Sequence, residues 1–250
     1  ATGGSAISAD NTGVSYVTLT GPVYTESTAG NAGAGTIILN VPTGFVFDTG
    51  LPAPTVLITR VGGSGNNSRN INGVASGTSV AVTSVTTTQI TFTVTSASNN
   101  GVTNSLTWQN IRVRPSAGTP LASGNITKSG TSTMSAVTDG VTNFGTLTEV
   151  TGALTKLVVS LPGQTFTNGS GNSGTVTSQA AGVAFVITKL SATDQFFNLV
   201  ATYSGAKTIG YTGPSGSPTY TTAVSFTSGQ STTRNRPWAI SFPTTRFRRR

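Results

Sequence analysis

The acidic side chains are the first place to look for chemistry in this chain, because it contains no histidine and no cysteine. The six acids are Asp10, Glu26, Asp48, Asp139, Glu149 and Asp194. No two are adjacent in sequence, whereas acid–base pairs need carboxylates about 5 to 10 Å apart. Calcium loops gather several acidic oxygens within a dozen residues, and thiolate or Ser-His-Asp chemistry needs the missing residue types. We therefore expect no catalytic residue, no metal ion, no cofactor and no enzyme activity.

Two shorter motifs have simpler interpretations. Asp194 with Asn198 supplies too few oxygen ligands for calcium, so we expect Asp194 to stabilise a turn. The stretch Gly62-Gly63-Ser64-Gly65 lacks the Gly-Lys-Ser/Thr and the helix of a phosphate-binding loop. We interpret it as a connecting loop.

The main charge feature is a basic segment at the end of the sequence. Residues 234–250 carry six of the fourteen Lys and Arg residues and no acid, hence six of the eight net positive charges. The arginines are Arg234, Arg236, Arg246, Arg248, Arg249 and Arg250. Such a run is a solvated end, binds an anionic surface or neighbouring subunit, or neutralises nucleic-acid phosphates. Nucleic acid is the least favoured, because no basic stripe with interleaved aromatics continues into the body.

The same segment contains an alternating apolar pattern. Trp238, Ile240 and Phe242 stand at every second position, between Pro237 and Pro243. A period of two predicts a short strand with one apolar face. We expect this strand and the arginines to contact another subunit or an anionic partner.

Composition indicates a β-rich chain. Charged residues make up 8% of the sequence, far below the roughly one quarter of an average soluble domain. Short Val- and Ile-rich runs alternate with Gly, Asn and Ser clusters, and no window shows helical periodicity. No stretch approaches the roughly 18 apolar residues of a membrane span. The small residues Ala1-Thr2-Gly3-Gly4-Ser5 fit the start of a chain after signal cleavage, so we expect a secreted, extracellular protein.

The apolar runs predict the strands. We expect them near residues 14–19, 36–41, 55–61, 79–85, 89–94, 105–113, 124–128 and 133–137, and, further on, 153–161, 174–177, 183–190, 198–203, 207–211 and 220–226. Ile90, Phe92 and Val94 alternate with threonines and should face a core, which Trp108 should anchor. The arginines Arg112 and Arg114 should share the opposite face from Ile111 and Val113. The pattern restarts near residues 151–152, where we place a domain boundary.

The second part resembles the immunoglobulin-like repeats of large bacterial cell-surface and extracellular proteins. The resemblance spans about residues 152–233 and rests on these stretches: Leu161-Pro162-Gly163-Gln164-Thr165-Phe166, Ala181-Gly182-Val183-Ala184-Phe185-Val186-Ile187, Ala192-Thr193-Asp194, Tyr203-Ser204-Gly205 and Val224-Ser225-Phe226-Thr227-Ser228-Gly229. It implies an Ig-like β-sandwich in 151–233, while strand spacing and turns in 1–150 indicate a sandwich or barrel. We therefore expect an all-β fold of two tandem β-sandwich (Ig-like, Greek-key) domains with a basic tail at 234–250. Repeats of this kind serve as spacers, adhesive stalks or cell-wall architecture.

The chain departs from that pattern at one place. Similar repeats continue past the Ser-Phe-Thr-Ser-Gly stretch with two more strands, but here the basic tail begins after Thr233. An incomplete second domain would leave an open groove and an unpaired edge, into which the tail of the same or another copy could be donated as a strand. An uncertain gene end is an equally open explanation.

These features together favour a non-catalytic structural subunit of a bacterial filament, surface layer or adhesive stalk, assembling through strand edges. Its expected partner is itself, or an anionic cell-surface polymer or glycan. One alternative is a monomeric adhesin, with Tyr203, Tyr211 and Tyr220 as candidate contacts. The other is a viral-type coat protein with an arginine arm on nucleic acid.

Overall fold

A computed structural model describes residues 4–178, 186–210 and 223–232. Over these residues the protein is all-β, with three short 3-10 turns at Ala9–Asn11, Asn67–Arg69 and Ile71–Gly73 and no α-helix. None of the helical turns described has the length or apolar character needed to cross a membrane. The chain divides between Val150 and Thr151 into two compact units.

The first unit contains four sheets. Its strands are β1 (Ser5–Ser8), β2 (Val17–Thr18), β3 (Val23–Thr25), β4 (Gly35–Asn40), β5 (Phe45–Phe47), β6 (Thr55–Gly62), β7 (Thr78–Ala81), β8 (Ser84–Val85), β9 (Gln89–Val94), β10 (Thr103–Gln109), β11 (Arg112–Pro115), β12 (Ser123–Asn125), β13 (Thr127–Ser129) and β14 (Thr146–Val150). The sheet orders are β1-β14-β12, β3-β10-β6-β7, β2-β11-β5 and β13-β4-β9-β8. Among these pairings β1–β14 is parallel, and the others are antiparallel.

Adjacent strands carry the chain from one sheet into the next. β10 lies between β3 and β6, and β11, two residues later, lies between β2 and β5. Asn110 separates them with a φ of 57°, a left-handed conformation that Asn tolerates better than most residues. In the same way β12 pairs with β14, whereas β13 pairs with β4.

Strands from different sheets of the first unit contribute to one core. Phe92 from β9 and Trp108 from β10 belong to different sheets, yet their rings pack edge to face with centroids 6.4 Å apart. Ile90, Phe92 and Val94 are all buried, as their alternation predicted, and Trp108 is buried beside them. Ile111 and Val113 are buried, while Arg112 and Arg114 are half-exposed on the other face. The predicted core positions of these strands are confirmed.

The described residues of the second unit form one five-stranded sheet and one hairpin. Its strands are β15 (Lys156–Ser160), β16 (Thr165–Thr167), β17 (Gly171–Ser173), β18 (Lys189–Thr193), β19 (Gly205–Thr208), β20 (Ala223–Thr227) and β21 (Gln230–Ser231). The antiparallel sheet has the order β15-β18-β21-β20-β19, and β16 pairs with β17. Its buried cluster is small: Leu190, Ile209, Val224 and Phe226.

Among the described residues three expected strands are wrong, and the expected strand 105–113 is divided into β10 and β11. The expected strands 183–190, 207–211 and 220–226 extend into residues outside the described ranges. Within residues 133–137 Met134 makes only an isolated bridge to Ala32, because Ala136 has a φ of 61° that interrupts an extended segment. Residues 174–177 follow a hairpin strand instead of forming one, and Gly174 has a φ of 88°. Residues 198–203 contain one bridge, from Leu199 to Thr193, since the chain there folds into a turn around a buried carboxylate.

Candidate functional site

The outer edge of β3 is open for another strand to pair. In the antiparallel pair with β10, Trp108 N donates to Pro22 O and Glu26 N donates to Asn104 O, both at 2.9 Å. Because hydrogen-bonded positions alternate along such a pair, the N–H and C=O groups of Val23 and Thr25 point away from β10. Among the described residues these groups have no hydrogen-bond partner. β3 thus presents two outward donors and two outward acceptors.

A cleft of about 490 Å³ runs beside this edge. One wall is β3 itself, and the other is formed by Ser135, Val137, Thr142 and Phe144, which follow β13. We call it the β3 cleft. Its lining combines aliphatic, aromatic and hydroxyl side chains and includes no Lys, Arg, Asp or Glu. The volume falls within the range of ordinary ligand sites, roughly 300 to 1,000 Å³. The β3 cleft therefore suits an uncharged, partly apolar occupant.

Tyr24 links the two walls. Its hydroxyl donates a hydrogen bond to the Ser135 carbonyl at 3.2 Å. Burial raises the pKa of Tyr24 above its usual 10.0, and the nearby charge of Glu26 raises this pKa further, while the bond to Ser135 acts in the opposite direction. The phenol is therefore protonated at neutral pH and available as a donor that holds the cleft wall.

Buried Glu26 fixes the end of β3. Its Oε1 accepts from the Ala32 N–H at 3.0 Å, and its Oε2 accepts from the Ser98 hydroxyl at 2.7 Å and the Asn104 N–H at 2.9 Å. Asn104 in turn accepts the Ile71 N–H at 2.8 Å. Because each oxygen has a donor, a nearly fully buried carboxylate is tolerated here. Its role is to tie loops to β3 and β10.

A second edge lies at β15 in the second unit. Leu157 and Val159 stand opposite Ala192 and Leu190, so they share the face that carries the buried cluster. They are nevertheless 37% and 40% exposed. This edge is already partly capped, because the Asn172 side chain donates to the Val159 carbonyl at 2.8 Å. β15 is therefore an apolar but less open edge than β3.

Three of the remaining acids, Asp48, Asp139 and Asp194, have structural roles. Asp194 is fully buried and accepts from the N–H groups of Gly152, Phe196 and Asn198 and from the Asn198 side chain, each at 2.9 Å. This confirms the expected turn. Asp48 pairs with Arg112 and Asp139 with buried Lys128. Within the described ranges no three acidic side chains gather where a metal ion could bind.

Basic side chains ahead of the tail are also engaged within the chain. They are Arg60, Arg69, Arg112, Arg114, Lys128, Lys156, Lys189 and Lys207. Each contacts a carbonyl, an amide, a carboxylate or an aromatic ring of its own chain. The described residues consequently offer no stripe of free cations to follow a nucleic-acid backbone.

The tail residues that the sequence singled out, from Arg234 to Arg250 and including Trp238, Ile240 and Phe242, lie outside the described residues. So do Tyr211 and Tyr220. Tyr203 packs edge to face on Phe226 with centroids 4.9 Å apart, as part of the small core. The β3 edge itself was missed by sequence reasoning. The β-favouring run Val23-Tyr24-Thr25 after Pro22 was the available signal.

No protein-family model, curated protein or solved structure matches this chain significantly.

Proposed function

We propose that this protein is a non-catalytic structural subunit of a bacterial extracellular filament, surface layer or adhesive stalk, and that it assembles through exposed strand edges. The observation that carries the proposal is the outer edge of β3, where the backbone groups of Val23 and Thr25 lack partners among the described residues. Unpaired edges template pairing with another chain unless charge, proline or a covering loop prevents it. Val23 and Thr25 carry no such charge.

The architecture supports a spacer role. The Phe92–Trp108 contact between different sheets supports a β-sandwich in residues 1–150, and the five-stranded sheet with its hairpin supports an immunoglobulin-like second domain in 151–233. The low charge of the body favours association over colloidal repulsion. The structural roles of Glu26, Asp48, Asp139 and Asp194 support the absence of catalysis.

The arginine-rich tail is the second part of the proposal. Its alternating Trp238, Ile240 and Phe242 supply a strand for subunit contact, and its arginines supply contact to a neighbouring subunit or an anionic surface polymer. A monomeric adhesin is less favoured, because Tyr203 is used in core packing. A coat protein on nucleic acid is less favoured, because the body cations are engaged internally.

The test is a double substitution in the tail. We expect Trp238→Ser/Phe242→Ser to abolish assembly in sedimentation velocity, while circular dichroism shows that the first unit stays folded. The matched control is Val14→Ser/Leu51→Ser, which removes two apolar side chains that are 77% and 85% exposed in the first unit. This control should assemble normally. Assembly of the tail variant at the unmodified level would contradict the proposal.

A further inference from the structure

We infer that the β3 cleft accepts the segment 238–242 of a second copy as an added strand. This inference rests on the proposed function and names both sides of the contact. The cleft is closed on its far side by the wall at Ser135–Phe144, which Tyr24 holds in place through Ser135. A single extended segment fits between that wall and β3 better than the edge of another folded sheet.

The chemistry of the two partners matches. The cleft lining is uncharged, and so are the five residues from Trp238 to Phe242, with the nearest arginines beyond the flanking prolines at 237 and 243. Proline cannot donate to a ladder, so the prolines limit the pairing segment to those five residues. The acceptor is also short, because β3 runs for three residues.

The pattern of outward groups sets the register. Val23 and Thr25 would exchange backbone hydrogen bonds with Ser241 and Ala239 of the added strand, four bonds in all, in antiparallel pairing. Ile240 then stands opposite Tyr24, whose hydroxyl donates to the Ser135 carbonyl in the cleft wall. Because side chains alternate, Trp238 and Phe242 share the face of Ile240, while Ala239 and Ser241 share the exposed face of Thr25.

Engineered disulfides test this register, because the chain contains no cysteine of its own. Chains carrying Thr25→Cys are mixed with chains carrying Ala239→Cys and oxidised gently. Opposed residues in a ladder lie within the Cα separation that a disulfide tolerates, about 4.4 to 6.8 Å. The matched control replaces Thr25→Cys by Ser79→Cys, on the exposed edge strand β7 of the same sheet. A third mixture uses Leu157→Cys on β15.

We expect about tenfold more disulfide-linked dimer from the Thr25→Cys mixture than from the Ser79→Cys control, because a docked strand raises the effective thiol concentration. Cross-linking through Leu157→Cys alone would place the segment on β15 and overturn this inference, while leaving the proposed function intact. A fourth sample is one chain carrying both Thr25→Cys and Ala239→Cys; a disulfide within this chain, without one between the singly substituted chains, would show that the segment binds its own copy and would overturn the inference. Assemblies without any of these cross-links would overturn it too. If the mixtures form neither assemblies nor cross-links, the proposed function is overturned as well.

Discussion

The Tyr24 hydroxyl donates a 3.2 Å hydrogen bond to the carbonyl of Ser135, 111 residues later in the chain. This bond joins the unpaired edge of β3 to the loop that forms the opposite wall of the cleft. The cleft is therefore bounded by two elements that are distant in sequence. The hydrogen bond from the Tyr24 hydroxyl holds these two elements together.

The first prediction concerns alkaline pH. Because the pKa of Tyr24 is higher in the folded state than its usual 10.0, the unfolded chain loses this proton first as the pH rises. The free energy of unfolding should therefore fall from about pH 10 through the raised pKa, and Tyr24→Phe should remove that part of the decline. At pH 7 the variant should lose only the bond to Ser135, about 1 kcal/mol. Urea unfolding at pH 7 and pH 10.5 measures the free energy of unfolding of the unmodified protein and of Tyr24→Phe. An equal decline between these two pH values in the two proteins would refute the prediction.

The second prediction concerns Glu26. Glu26→Ala removes the acceptor of the Ala32 N–H, the Asn104 N–H and the Ser98 hydroxyl, all in a buried site. We expect a loss of about 3 kcal/mol in the free energy of unfolding, since buried donors are left without partners. Glu26→Gln keeps one carbonyl acceptor and should lose less. Denaturant titration measures both, and a loss below about 1 kcal/mol for Glu26→Ala would contradict the assignment.

Asp194 allows the same reasoning in the second unit. Asp194→Ala leaves the Gly152, Phe196 and Asn198 amides without their carboxylate acceptor. We expect these amides to lose hydrogen-exchange protection, with a local loss of about 2 to 4 kcal/mol. The Ala32 amide, held by Glu26 in the first unit, serves as the internal reference and should exchange at its normal rate. Unchanged protection around Asp194 would show that the turn is held by other contacts.

A further prediction separates backbone pairing from side-chain packing at β3. Thr25→Pro removes the outward N–H while leaving the backbone bonds to β10, and proline is tolerated on an edge whose N–H faces solvent. Thr25→Val keeps that N–H and a side chain of similar shape. Both substitutions remove the Thr25 hydroxyl and its bond to Ser105. We expect Thr25→Pro to weaken self-association by about tenfold, on the order of one strong hydrogen bond, and Thr25→Val to leave it unchanged. Sedimentation at several concentrations compares them; equal association would exclude β3 as the acceptor.

Local pattern predicted the interior of the first unit well. Residues 89–94 were expected as a strand with Ile90, Phe92 and Val94 inside, and β9 has those bounds and that burial. The alternation alone specifies which face is buried, because side chains in a strand alternate sides. Trp108 was likewise expected to anchor the core, and it packs against Phe92.

The order of the strands in the sheets could not be predicted from the sequence. β1 pairs with β14 across roughly 140 residues of chain, in parallel, and no local signal reports such a partner. Whether β3 is an edge strand follows from that order and not from Val23-Tyr24-Thr25 itself. The positive φ of Ala136 could not be predicted either, because alanine rarely adopts that conformation. The candidate site was missed for these reasons, whereas the turn around Asp194 was foreseen from residue type.

The most direct measurement of the central claim is negative-stain electron microscopy of the unmodified protein at near-physiological salt. Assembly through the β3 edge predicts regular filaments or closed rings, since the proposed contact uses one acceptor edge and one donor segment from each copy. Uniform single particles at all concentrations would contradict a self-assembling structural subunit.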